Sequence, residues 1–156
     1  MRITKYKTRL TEDRRIALEK EISVNRPDME NVIRSPENVD ELARGFLRMH
    51  EESEEYLYMI CMNTKNKIIG VFEISHGSVN SSIFSVREIL QKALLANAVS
   101  IIMIHNHPSG DVSPSREDIT VTKRLAEAGK LVGVELLDHI IVGDKYCSLK
   151  EKGYLS

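Results

Sequence analysis

The sequence predicts a mixed α/β domain, one sheet covered by helices. Three observations carry that expectation. Apolar runs of strand length alternate with segments whose apolar residues recur at helical spacing, the pattern of helices packed on a sheet. The length, 156 residues, suits one domain of ~100–200 residues. The composition, 42% hydrophobic and 29% charged, is too apolar for a disordered chain and too evenly interrupted by charge for a membrane protein.

The elements follow in order. Residues 1 to 34 read as an amino-terminal arm with one helical patch around Glu12 to Ile22, closed by Asn25-Arg26-Pro27. Ser35-Pro36 starts the main domain, 35 to 156, with a capping hydroxyl followed by proline at the first helical position. Val39, Leu42, Ala43, Phe46 and Leu47 then form an apolar stripe, which predicts a helix to about Glu52. Tyr56 to Met62 and Ile68 to Phe72, separated by Asn63-Thr64-Lys65-Asn66, predict a hairpin. Gly77 to Ser82 is loop-like. Ser85 begins a helix with Val86, Ile89, Leu90, Ala93 and Leu94 on one face. A short strand, Val99 to Ile104, ends at His105, and His107-Pro108-Ser109-Gly110-Asp111-Val112-Ser113-Pro114 has loop composition. Helix resumes near Ser115 and is expected to stop at Gly129. Val132 to Val142 reads as one or two strands ending in the Gly143-Asp144 turn.

Charge and cysteine content narrow the function. Net charge is −1, so no global attraction draws the chain to nucleic acid or an acidic membrane. Arg2, Lys5, Lys7 and Arg9 make the start basic, while residues 28 to 55 hold nine acids against three arginines. Both stretches read as solvated, since a nucleic-acid arm should interleave more basic residues with aromatics. Cys61 and Cys147 form no C-x-x-C pair and are expected as two buried thiols in a reducing compartment. No run approaches ~18 apolar residues, and no secretory signal follows the basic start. The expected location is the cytoplasm, without a membrane partner.

His105 and His107 carry the first chemical signal. Side chains at i and i+2 of a strand share a face, so both imidazoles can converge on one ion while Asn106 points away. Asp118 follows eleven residues later in the first turn of the next helix, with Ser115 three residues before it. Ser-x-x-Asp also fits a capping box, and a first-turn aspartate suits the helix dipole. Two prolines constrain the intervening loop, which can return the helix start to the strand end. Two imidazoles and one carboxylate would then give three protein ligands for a tetrahedral zinc, one Zn2+ per chain, and leave a fourth place for water.

His105-x-His107, seven residues, Ser115, two residues and Asp118 match the H-x-H-x7-S-x2-D signature of JAMM or MPN-type zinc metalloproteases. Ala93-Leu94-Leu95-Ala96-Asn97-Ala98, then His105-Asn106-His107-Pro108-Ser109-Gly110-Asp111, and later Leu136-Leu137-Asp138-His139-Ile140-Ile141, resemble the bacterial RadC family. The resemblance covers roughly Ser35 to Ser156. It implies a cytidine-deaminase-like three-layer α/β sandwich and a catalytic glutamate entering the first hairpin strand. Glu55 occupies that place, with Glu54 and Glu73 as its competitors. The implied reaction is hydrolysis of a peptide or isopeptide bond in an unidentified peptide or protein substrate. Zinc would bring the pKa of its water from 15.7 toward ~7, Glu55 would take the water proton and pass it to the leaving amine, and the Ser115 hydroxyl would donate to the developing oxyanion.

Asp111 is a further candidate as a support for the ligands, although an aspartate after Ser109-Gly110 also suits a turn. His139, after Asp138 in an apolar strand, reads as a hydrogen-bonded structural histidine. His50 and His76 show no partner pattern, and the cysteines lack the spacing of a structural zinc site. The RadC name also carries a DNA-repair reading, as a DNA-associated factor or nuclease. Members with that resemblance bear a helix-hairpin-helix region that residues 1 to 34 are too short to hold, which weakens this expectation. A non-catalytic interaction domain is the third reading, set against a complete ligand set. The H-x-E and P-C-x-x-C halves of a nucleobase deaminase are both absent from the sequence.

Overall fold

The most apolar runs of the sequence lie at the centre of a seven-stranded sheet. The computed structural model describes residues 1–77 and 85–156. Its strands are β1 (Arg2–Leu10), β2 (Ile16–Asn25), β3 (Glu55–Met62), β4 (Ile68–Gly77), β5 (Ser100–Asn106), β6 (Glu135–Val142) and β7 (Tyr146–Ser148). Its helices are α1 (Pro36–Gly45), α2 (Val86–Leu95) and α3 (Arg116–Val132), with a 3-10 turn at Met49–Glu51. The strand order is β2-β1-β4-β3-β5-β6-β7. Neighbours β1/β4 and β5/β6 run parallel, and the remaining pairs antiparallel. Every residue of β5 is buried, as a strand with both faces covered requires.

Alternation along β3 sorts the core into two layers. Tyr58, Ile60 and Met62 face Val39, Leu42 and Ala43 of α1, together with Ile102, Ile104, Ile140 and Val142. Leu57, Met59 and Cys61 face Ile89, Leu90 and Ala93 of α2 and Leu125 of α3, with Ile101, Met103 and Leu136. One helix on one face and two on the other make the three-layer α/β sandwich that the resemblance implied. Cys61 and Cys147 are buried free thiols. Among the described residues no helix is long and apolar enough to cross a membrane.

The first 34 residues depart from the expected helical patch. Glu12 to Ile22 contains the turn and most of β2, which pairs antiparallel with β1 from Leu10 and Ile16 to Arg2 and Asn25, with one register shift between Lys5 and Tyr6. The turn closes with Thr11 N–H donating to the Arg15 carbonyl at 2.8 Å, and Arg14 takes φ 60°. A free helix here would present charge on every side. The hairpin instead satisfies its backbone within β1/β2 and adds to the sheet where Lys5 and Tyr6 pair with Val71 and Phe72. Ile3 is fully buried, and the Tyr6 and Phe72 ring centroids lie 5.9 Å apart.

Other boundaries also move. The helix from Ser35 ends at Gly45 rather than near Glu52, and the chain turns through Arg48 at φ 53° into the 3-10 segment. Helix α3 continues past Gly129 to Val132, capped by Gly133 at φ 78°. Gly129 serves packing instead: a Cβ there would lie 2.3 Å from the Val134 carbonyl oxygen. The last long strand starts at Glu135, three residues after the expected Val132, because Gly133 first reverses the chain. The predicted loop from Gly77 begins inside β4, and its remaining residues fall outside the described ones.

Candidate metal centre

The site forms where β5 runs out of the sheet. Alternation puts His105 on the face of Met103 and Ile101, beneath α2 and α3, and turns Asn106 to the other face. His107 N–H donates to the Val142 carbonyl at 2.9 Å, which carries the parallel β5/β6 ladder one step further and keeps His107 on the face of His105. The loop then folds back against the β6/β7 turn. Gly110 N–H donates to the His107 carbonyl, Asp144 N–H donates to the Gly110 carbonyl, both at 2.9 Å, and Gly110 takes φ +86°. A Cβ at Gly110 would stand 2.8 Å from the Asp144 carboxylate, so glycine is needed for both space and conformation.

This return delivers the start of α3 to the strand end. Ser115 Oγ accepts from Asp118 N–H at 3.0 Å while Asp118 Oδ2 accepts from Ser115 N–H at 2.7 Å. The capping box is therefore real, and it orients the Asp118 carboxylate toward the histidines. His105 Nε2 lies 3.5 Å from Asp118 Oδ1, His107 Nε2 3.7 Å from Asp118 Oδ2, and the two Nε2 atoms 2.9 Å from each other. One donor atom from each of the three residues lies within 4.8 Å of the others. A tetrahedral zinc with bonds of ~2.0–2.2 Å sets its ligand atoms about 3.3–3.6 Å apart, and the three observed separations bracket that spacing. The donor set fits a borderline-soft divalent ion.

Electrostatics agree with the geometry. Burial alone would raise the Asp118 carboxyl, but the neighbouring His105 and His107 imidazoles outweigh it and hold the group far below the usual carboxylate range. The adjacent Asp118 carboxylate raises His107; burial opposes this, while the Asp111 carbonyl and the Glu55 charge reinforce it. His107 Nδ1 lies 2.6 Å from that carbonyl. Asp111 therefore supports the site through its main chain, since its carboxylate accepts from Ser113 N–H at 2.9 Å in the turn.

Antiparallel pairing of β3 with β5 sets Leu57 opposite His105. Glu55, two residues before Leu57, shares that face, half-buried and near enough for its charge to act on His107. Glu73 pairs with Tyr58 on the opposite face, where it meets Lys5 Nζ at 3.4 Å and His76 Nδ1 at 2.7 Å. Glu54 is exposed, with its carbonyl accepting from Asn106 Nδ2 at 2.9 Å. Of the three acids, Glu55 alone lies on the face of the histidines. The Ser115 hydroxyl, although it accepts in the cap, keeps a proton to donate.

Two residues that the sequence reading did not place at the site sit behind it. His139 is fully buried, pushed down in pKa by burial and by the neighbouring His105, with Nε2 2.7 Å from His105 Nδ1. Thr122, one helical turn after Asp118, places Oγ1 2.6 Å from His139 Nδ1. The available signal was the i, i+4 spacing of Asp118 and Thr122, legible only once α3 is known to face β6. Asp138 turns the other way and fastens the chain end, accepting from Ser148 Oγ and from Lys150 N–H.

A protein family described as the RadC-like JAB domain matches residues 33–154. The chain belongs to this family. Among curated relatives, a UPF0758 protein of Geobacillus sp. (strain WCH70) is 53% identical over 125 residues, 80% of this chain and 54% of that relative. UPF0758 protein YsxA of Bacillus subtilis (strain 168) is 50% identical over 125 residues, 80% of this chain and 53% of that relative. A UPF0758 protein of Rubrobacter xylanophilus is 46% identical over 140 residues, 90% of this chain and 61% of that relative. This RadC-like JAB chain spans about half the length of most of these relatives.

Proposed function

We propose that this RadC-like JAB chain is a zinc-dependent hydrolase of peptide or isopeptide bonds. The observation that carries the reading is the convergence of His105 Nε2, His107 Nε2 and the Asp118 carboxylate on one point at the open end of β5. A divalent ion held there supplies Lewis acidity, polarising a carbonyl and making a water acidic enough to ionise near neutrality. Glu55, on the same face, takes the proton of the attacking water and returns it to the departing amine nitrogen as the carbon–nitrogen bond breaks. The Ser115 hydroxyl donates to the carbonyl oxygen as charge gathers on it. Asp118 stays ionised throughout, because its carboxyl is held so low.

Metal analysis of protein purified without added metal tests the reading. Near-stoichiometric zinc is expected in the wild type and its loss in His105→Ala and in Asp118→Ala. Zinc retained by either variant would overturn the ligand set.

A further inference from the structure

His105 and His107 both turn Nε2 into the site, so each must carry its ring proton on Nδ1 for Nε2 to offer a lone pair. For His107 a single contact settles this, since Nδ1 meets the Asp111 carbonyl at 2.6 Å and a carbonyl only accepts. Among the described residues His105 Nδ1 meets no carbonyl. Its Nδ1 meets His139 Nε2 at 2.7 Å, and an imidazole nitrogen either donates or accepts.

The proton order is decided two residues further on. His139 Nδ1 lies 2.6 Å from Thr122 Oγ1, and Thr122 Oγ1 lies 2.5 Å from the main-chain carbonyl of Asp118. The hydroxyl has one proton, and the carbonyl can only receive it. Thr122 then accepts from His139 Nδ1–H, which leaves His139 Nε2 bare to accept from His105 Nδ1–H. His105 Nε2 is left as a lone pair aimed at the site. Thr122 is fully buried and His139 is 1% exposed, so bulk water does not compete for these contacts.

We propose that Thr122 and His139 are positioning residues whose hydrogen-bond chain, ending on the Asp118 carbonyl, fixes His105 in its metal-binding tautomer. The inference rests on the metal-site reading above and adds to it how the ligand is prepared. The chain also couples elements: it starts on one ligand in β5, crosses β6, and ends on the main chain of another ligand in α3. Partners behind a ligating histidine commonly change metal affinity by roughly 10–100-fold when removed.

Four variants and two measurements test it: Thr122→Ser, Thr122→Val, His139→Gln and His139→Phe, each checked for folding by circular dichroism. Zinc affinity is read by chelator competition, and imidazole nitrogen shifts are read by NMR on the metal-free wild type. Serine keeps the hydroxyl, and the glutamine carbonyl can accept from His105 while its amide donates to Thr122. Both should bind zinc nearly as the wild type does, whereas Val and Phe should lose roughly 10–100-fold. If the Phe variant does not fold, the Ser/Val pair decides. Metal-free His139 should show a protonated Nδ1 and a bare Nε2. A proton on His139 Nε2, or equal zinc affinity in the Ser and Val forms, overturns the inference. A wild type that binds no zinc yet shows His139 Nδ1–H upholds the proton order and strikes the hydrolase reading instead.

Discussion

Asn106 holds the backbone on both sides of Glu55: its Oδ1 accepts from Tyr56 N–H at 2.7 Å, and its Nδ2 donates to the Glu54 carbonyl at 2.9 Å. The residue between the two candidate ligand histidines thus points away from them and still serves the same site. It fixes the start of β3, and so the place from which the Glu55 side chain reaches toward His107.

Replacing Asn106 by Ala is expected to release that grip. A misplacement of about 1 Å can cost ~100-fold in rate, so turnover should fall by that order while bound zinc is unchanged. The check is steady-state hydrolysis beside metal content in the same preparation. Zinc lost together with activity would assign Asn106 to the ligand frame instead.

Glu55→Gln keeps the shape of the side chain and removes its capacity to take a proton. We expect full metal occupancy and a drop in turnover of roughly 100- to 10,000-fold, the usual contribution of a general base. Activity preserved in this variant would exclude Glu55 from proton transfer.

The pairing of His107 with Asp118 predicts how metal-free stability follows pH. The adjacent Asp118 carboxylate raises His107 above its ordinary 6.5, so its stabilisation is present below that value and is lost as pH rises through the higher folded pKa. Burial opposes the Asp118 shift, yet the two imidazoles and the Ser115 N–H hold the carboxyl below its ordinary 3.8, so its contribution is present above that value and is lost as pH falls below it. The thermal midpoint of metal-free protein should therefore be highest between these limits and decline on both sides. Asp118→Asn should flatten both slopes, and an unchanged profile in that variant would place the titrating groups elsewhere.

Ile3→Ala tests whether the first hairpin belongs to the core. Ile3 is fully buried, and truncation at such a site costs about 2–5 kcal/mol. The shift of the urea midpoint gives the number. A cost below about 0.5 kcal/mol would mean that β1 and β2 lie on the sheet without supporting it.

Much of the fold was legible because its signals are local. The apolar runs of β3 and β5, the Ser-Pro start of α1 and the Ser85 cap of α2 each announce themselves within a few residues. The first hairpin was not, because among the described strands β2 pairs only with β1, and its sparse apolar residues acquire meaning only when Lys5 and Tyr6 dock beside Val71 and Phe72. Gly129 and Gly133 both fit a helix end. The Val134 carbonyl, which leaves no room for a Cβ at Gly129, decided between them.

For the site, the sequence alone supplied the candidate ligands. The spacing from His105 to Asp118 is chemistry written along one stretch of chain, and strand alternation makes it readable without coordinates. The tertiary structure decided the rest. Pairing of β3 with β5 placed Glu55 on the face of the histidines and Glu73 on the other, and the packing of α3 over β6 brought Thr122 and His139 behind His105. Those residues come from separate elements, and no local pattern relates them. Their common role exists only where the sheet and helix bury them together, because hydrogen bonds withdrawn from water fix which nitrogen holds the proton.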